Sequence, residues 1–248
     1  TSAFIAAAGG VKVAKHGNRS ASSKSGAADV LEKLGACLSL SADQAEQVLE
    51  ATGMCFLFAP AYHASMKYAA PVRREIGIRS IFNILGPLAN PANASMQLLG
   101  VYDPVLANLG VKRGMVVCGG DGLDEATITG PTHVCEIRFG QLTAYEIAPE
   151  QFGLKRCELK DLLGGSPEEN AQITKGILSG SLTGPKRDVA VLNAALSLYL
   201  GIDDCTIAGC VKTAQDLIDS GAAMMKMVAF VKATQEAAKG EKGEVKAS

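Results

Sequence analysis

The chain has no excess of either charge: 24 Lys and Arg stand against 25 Asp and Glu over 248 residues, a formal net charge of -1. Non-specific nucleic-acid binding needs a strongly basic face, so no nucleic-acid partner is expected, whereas a locally basic pocket for a small anion is compatible with this balance. No apolar run reaches the ~18 residues of a membrane helix, and the opening Thr1-Ser2-Ala3-Phe4-Ile5-Ala6 lacks the basic n-region of a secretory leader. No membrane partner is expected either. The seven cysteines form no C-x-x-C pair, a usage that suits reduced thiols and a cytoplasmic location. Internal repeats are missing, and so is a nucleophile elbow or a Cys/His pair that would signal a covalent intermediate.

What is present is a large apolar fraction, 48% of residues, enough for the core of one large α/β domain or of two lobes. Alternating apolar residues predict a strand over Val11–Ala14, and the period of Ala27, Ala28, Val30, Leu31 and Leu34 predicts a helix that stops at Gly35. Ser41 with Gln44 reads as a capping box opening a helix to Gly53, and Met54–Phe58 as a buried strand. Further strands are predicted at Leu98–Val101 and Met115–Cys118, with a helix at Val105–Lys112 between them. A hairpin turns at Gly140 between Thr132–Arg138 and Leu142–Ile147. Helices then start at Ser166-Pro167 and fill Arg187–Leu200, Ile207–Ser220 and Ala222–Ala238, leaving Lys239–Ser248 as a polar tail expected to be disordered. Strands alternating with helices imply a mixed, largely parallel central sheet flanked by helices, with ligands at the carboxyl ends of its strands.

One segment concentrates chemistry. Lys15-His16-Gly17-Asn18-Arg19-Ser20-Ala21-Ser22-Ser23-Lys24-Ser25-Gly26 joins the first predicted strand to an amphipathic helix. Backbone N–H groups at a helix start, serine hydroxyls and cationic side chains together suit phosphate oxygens. A basic surface loop in which Ser25 caps the helix has the same spacing. A second candidate is Asp121-Gly122-Leu123-Asp124-Glu125, which follows a strand and carries adjacent carboxylates. Such a pair can hold a hard cation, or Asp121 and Asp124 can merely organise a turn.

The run Lys15–Gly35 resembles the signature of the anthranilate phosphoribosyltransferase family. Arg73–Pro91 (RREIGIRSIFNILGPLANP) is similar to that family's second long motif, and Asp121–Glu125 to its acidic motif. The order and spacing match over nearly the whole chain. The resemblance implies the nucleoside phosphorylase/phosphoribosyltransferase catalytic fold over residues 1–238. It also implies transfer of a phosphoribosyl group from phosphoribosyl pyrophosphate to the amine of anthranilate, with release of pyrophosphate, in tryptophan biosynthesis. It places Thr1, Lys15, His16, Gly17, Asn18, Arg19, Ser22, Ser23 and Ala27 at the phosphoribosyl pyrophosphate site. Asn18, His63, Arg73 and Pro87 fall to anthranilate, and Asp124 and Glu125 to Mg²⁺. No acid–base residue is implied, and His133 receives no role.

The family's glycine-rich pyrophosphate segment and small helical domain precede the point at which this sequence opens, so the expectation is of an N-terminally truncated chain, inactive and prone to self-association by itself. A homodimer at full length and a glutamine amidotransferase partner are further implications of the resemblance. Two other readings remain at this point: a pyrimidine nucleoside phosphorylase of the same superfamily, and a non-catalytic paralogue that binds nucleic acid. Asn18, Arg73 and the acidic motif favour the transferase over the first. The charge balance disfavours the second.

Overall fold

A computed structural model describes residues 1–20, 24–63, 89–100 and 113–244. In chain order its elements are α1 (Ser2–Ala8), β1 (Val13–Gly17), α2 (Ala27–Lys33), α3 (Ala42–Thr52), β2 (Met54–Phe58), α4 (Ala59–Tyr62), β3 (Met96–Gly100) and β4 (Arg113–Gly119). Then come β5 (Thr132–Arg138), β6 (Gln141–Ile147), a 3₁₀ turn at Pro149–Phe152, α5 (Leu159–Leu162), α6 (Pro167–Leu178), α7 (Pro185–Gly201), α8 (Ile207–Asp219) and α9 (Ala222–Glu244). The chain groups into two compact units. One comprises Thr1–Val11, Asn93–Leu163 and Lys175–Met224; the other comprises Lys12–Ala92, Gly164–Thr174 and Met225–Ser248.

The first unit is built on the sheet β3-β4-β5-β6. β3 and β4 are parallel, whereas β4-β5 and β5-β6 are antiparallel. The connections explain this: the hairpin at Phe139-Gly140 is too short for a parallel crossover, and the loop from Gly120 to Pro131 contains no helix to carry one. Its central helix, α7, starts with proline at its first turn, where the missing N–H costs nothing. Ala190–Leu196, Leu198 and Leu200 of α7 are buried, as expected of a helix that is apolar nearly all round. It packs against α1 and α8 and against β3 and β4. Phe4 and Ile5 of α1 are almost fully buried, each worth about 1.5–3 kcal/mol in transfer terms. Thr206 caps α8 by accepting from the Gly209 N–H at 3.0 Å, and the Cys205 and Cys210 sulfurs on either side of that cap lie 3.2 Å apart. All seven cysteines are free thiols.

The second unit holds the parallel pair β1-β2, with Val13 opposite Met54 and Gly17 opposite Phe58. β1 starts later than the alternation predicted and runs through Lys15, His16 and Gly17, because its ladder is set by pairing with β2. Ala14 and Leu49 pack on the buried cluster Ala45, Cys55 and Leu57, joining β1 to α3 and β2. The capping box of α3 is present in both directions: Ser41 N–H donates to Gln44 Oε1 at 2.9 Å and Gln44 N–H to Ser41 Oγ at 3.3 Å. Gly53 closes that helix at φ +75°, a conformation that suits glycine. α9 continues to Glu244, so residues 239–244, expected in a polar tail, are helical. Glu and Lys are good helix formers and carry the helix on against the cost of Gly240 and Gly243. Among the described residues the strands form a parallel two-stranded sheet and a mixed four-stranded sheet, with helices packed on them, as the mixed α/β expectation has it. The predicted helix at Val105–Lys112 lies outside the described residues.

Candidate active site

The phosphate-loop candidates of the second unit leave the carboxyl end of β1, where the rule for open parallel sheets places ligands. Lys15 is exposed and His16 half-buried on the strand, and Gly17 ends it. Asn18 turns the chain: its Oδ1 accepts from the Arg19 N–H at 2.7 Å and its carbonyl from the Ala28 N–H at 3.4 Å. This ties the loop back onto α2, whose first residue is Ala27. His63 follows α4 at the end of β2, and its Nε2 lies 3.2 Å from Nε2 of His16 with the rings edge to face. Two positions assigned to different substrates are thus in direct contact. Ser22, Ser23, Arg73 and Pro87 lie outside the described residues. Thr1 is in the first unit, where it is the exposed N-cap of α1.

The start of α2 differs from the open anion cradle that the sequence suggests. Its N-cap is Gly26, not Ser25, and the side chain of Asp29 at the third helical position reaches back over it. The Asp29 carboxylate accepts from the Gly26 N–H at 2.8 Å and the Ser20 N–H at 3.1 Å. A carboxylate is favoured there by the helix dipole. The backbone bonds from Ser20 and Gly26 hold Asp29 below the ordinary carboxylate range. Arg19 is also engaged, with its guanidinium bonded to Glu32, 3.9 Å from Asp29 and 5.1 Å above the Phe58 ring. The loop therefore carries its own counter-ions.

The acidic loop of the first unit follows β4. Asp124 and Glu125 are adjacent and exposed, and the backbone beneath them is fixed from three directions. Asp121 accepts from the Thr127 and Thr129 hydroxyls, both at 2.6 Å, and from the Leu123 N–H at 3.1 Å. Burial pushes the Asp121 carboxyl up, but these donors outweigh it and its pKa is lowered. Asn193 of α7 brackets Ala126, accepting from its N–H at 3.1 Å and donating to its carbonyl at 2.8 Å. Gly100 at the end of β3 is the third support, since a Cβ there would lie 1.6 Å from the Asp124 carbonyl oxygen.

Among the described residues no group of three His, Cys, Asp or Glu side chains forms a metal site. The exposed pair Asp124 and Glu125 fits Mg²⁺ nonetheless, because this hard ion takes one or two carboxylates and fills its octahedron with water and substrate phosphate. Asp121 takes the turn-forming role weighed for it, while Asp124 and Glu125 project from that turn. Sequence reasoning missed Asn193, whose only signal is one amide inside the apolar run Val191-Leu192-Asn193-Ala194-Ala195-Leu196. It also missed Gly100, Thr127 and Thr129, and the contact between His16 and His63.

The fold and these loops are those of a glycosyltransferase: residues 1–224 match the family described as the glycosyl transferase family, a/b domain. An anthranilate phosphoribosyltransferase of Ruminiclostridium cellulolyticum is 57% identical over 238 residues, covering 93% of this chain and 70% of the relative. The crystal structure of the anthranilate phosphoribosyltransferase of Thermus thermophilus superposes with a TM-score of 0.87 at 41% identity, covering 94% of this chain and 72% of that one. The Saccharomyces cerevisiae enzyme, solved with PRPP and Mg, gives a TM-score of 0.85 at 29% identity, covering 95% of this chain and 69% of that one. The chain belongs to the anthranilate phosphoribosyltransferase family. Among the described residues no helix is long and apolar enough to cross a membrane.

Proposed function

We propose that this chain transfers the phosphoribosyl group of phosphoribosyl pyrophosphate to the amine of anthranilate, in the cytoplasm and as a step of tryptophan biosynthesis. The observation that carries the reading is the segment Lys15–Arg19, the last residues of β1 and the turn that leaves it, in contact through His16 with His63 from the end of β2. That is where a parallel α/β pair presents a ligand, and the residues there are those of the family signature. In the reaction the amine nitrogen forms a bond to the anomeric carbon as the bond to pyrophosphate breaks, through a transition state with oxocarbenium character like that of glycoside cleavage.

Lys15, Asn18, Arg19, Ser22, Ser23 and the close backbone of Gly17 hold the phosphate oxygens, with Arg19 exchanging its Glu32 partner for phosphate. Charge-assisted bonds of this kind are short and directional. They fix the ribose so that the amine meets it in line, which is where orientation reduces the barrier. Arg73 receives the anthranilate carboxylate, for which a planar guanidinium is suited, and Asn18, His63 and Pro87 confine the ring. Asp124 and Glu125 hold Mg²⁺, which when bound neutralises charge on the phosphates and the leaving group. Asp121, Asn193 and Gly100 keep the two carboxylates at a fixed backbone position.

The test is the double variant Asp124→Asn with Glu125→Gln. These exposed amides are close isosteres, so the fold persists while the Mg²⁺ concentration for half-maximal turnover rises. An unchanged Mg²⁺ dependence with native circular dichroism would return both residues to a turn-forming role.

A further inference from the structure

The geometry points to a second metal site, distinct in chemistry from the acidic pair: His16 and His63 form a two-imidazole chelate for a borderline divalent transition ion such as Zn²⁺ or Co²⁺. This goes beyond the transferase reading and does not depend on it. The two Nε2 atoms are 3.2 Å apart and the ring centroids 5.1 Å apart, with the planes at 80°. An ion at the usual Zn–N length of about 2.05 Å from each nitrogen would subtend about 103°, close to tetrahedral, and would set the centroids about 5.0 Å apart. Both observed separations meet that requirement with no movement of the strands. β1 and β2 supply the rigidity, since His16 is on β1 opposite Leu57 and His63 follows the single turn of α4 after β2.

Imidazole suits Zn²⁺, Co²⁺, Ni²⁺ and Cu²⁺, whereas Mg²⁺ selects oxygen. The site therefore does not compete for the ion assigned to Asp124 and Glu125. Among the described residues no third His, Cys, Asp or Glu joins the pair. In the metal-free pair one ring donates its Nε2–H to the other. When the ion takes that place, the donor ring shifts its proton to Nδ1, and both rings become Nδ1–H tautomers with no net proton released. His133 is exposed and 2.9 Å from Glu146, and serves as the internal control.

The test is Zn²⁺ titration of the full chain followed by long-range ¹H–¹⁵N correlation of its three imidazoles. The expected result is that His16 and His63 move together, with one half-saturation point and both as Nδ1–H tautomers, while His133 stays. Independent half-saturation points, or movement of His133 alone, would overturn the site. His63→Asn should weaken Zn²⁺ binding by at least the ~10-fold that follows even the loss of a group that only hydrogen-bonds a metal ligand; unchanged affinity in a variant with wild-type melting sinks the chelate. Co²⁺ separates the other candidate ligands, the thiols. Weak visible bands without an intense near-ultraviolet thiolate transition support the imidazole pair, and a strong thiolate band with static rings refutes it.

Discussion

Replacing Gly100 by alanine tests whether the acidic loop is held by close backbone packing. The new Cβ would lie 1.6 Å from the Asp124 carbonyl oxygen, 2.7 Å from its carbonyl carbon and 3.4 Å from the Glu125 nitrogen. An ordinary C···O approach is about 3.3–3.6 Å, so the loop or the strand must retreat by nearly 2 Å. Neither is free to do so: Gly100 is opposite Val117 in the β3-β4 ladder, and the loop is bracketed at Ala126 by Asn193. Overpacking of this kind costs about 1–3 kcal/mol, and at about 2–4 °C per kcal/mol for a chain of this size the melting temperature should fall by several degrees. A 1 Å misplacement of a positioning group can cost about 10²-fold in rate, so turnover should fall more steeply than stability and the Mg²⁺ requirement should rise. Calorimetry and anthranilate-fluorescence rates across an Mg²⁺ series measure both. Gly130→Ala, whose Cβ meets nothing within 4 Å, is the control. A Gly100→Ala enzyme with wild-type turnover and Mg²⁺ dependence would show that the acidic loop does not need the backbone position seen here.

Asn193→Ala should destabilise the protein by about 2–4 kcal/mol, because it strands the N–H and carbonyl of buried Ala126 and opens a small gap; chemical denaturation measures the loss, and a change under about 0.5 kcal/mol, the size of an ordinary surface substitution, would refute the bracket. Arg73→Ala should weaken anthranilate binding by roughly 1.5–3 kcal/mol while leaving phosphoribosyl pyrophosphate nearly unaffected, and equal losses by calorimetry would mark Arg73 as a general structural residue. The lowered pKa of Asp121 contributes stability that is fully present above its unfolded value of about 3.9 and is lost as pH falls towards the folded value. Acid unfolding of Asp121→Asn should accordingly lack part of the wild-type decline below about pH 4, and parallel acid profiles would reject that assignment.

Local signals were legible. The Ser41–Gln44 capping box, the hairpin at Gly140 and the start of α6 depend on residues within a few positions of one another, and each is where the pattern placed it. Contacts across long separations were not. Asn193 meets Ala126 from 67 positions away and His63 meets His16 from 47, distances at which no spacing rule operates. Asp29 illustrates a third kind of difficulty. Nothing in the signature singles it out, and only the folded turn shows it turned back onto Gly26 and Ser20. The residues proposed to bind phosphate were visible because the family signature is contiguous, whereas the supports of the acidic loop are spread over β3, the loop itself and α7.

The ion pairing of Arg19 with Glu32, beside Asp29 at the start of α2, has a consequence for how an anion enters. A phosphate group that reaches Arg19 replaces a carboxylate instead of water, so the number of paired cations changes by less than a count of Lys and Arg suggests. Salt then weakens ligand and internal carboxylate together, and the ionic-strength dependence of binding is shallower than for a bare cationic pocket. A monovalent anion gains nothing by the exchange, since it offers no more charge than the group it expels. A pyrophosphate does. If Arg19 receives phosphate as proposed, the loop's own acids would favour multiply charged ligands over the chloride that surrounds it.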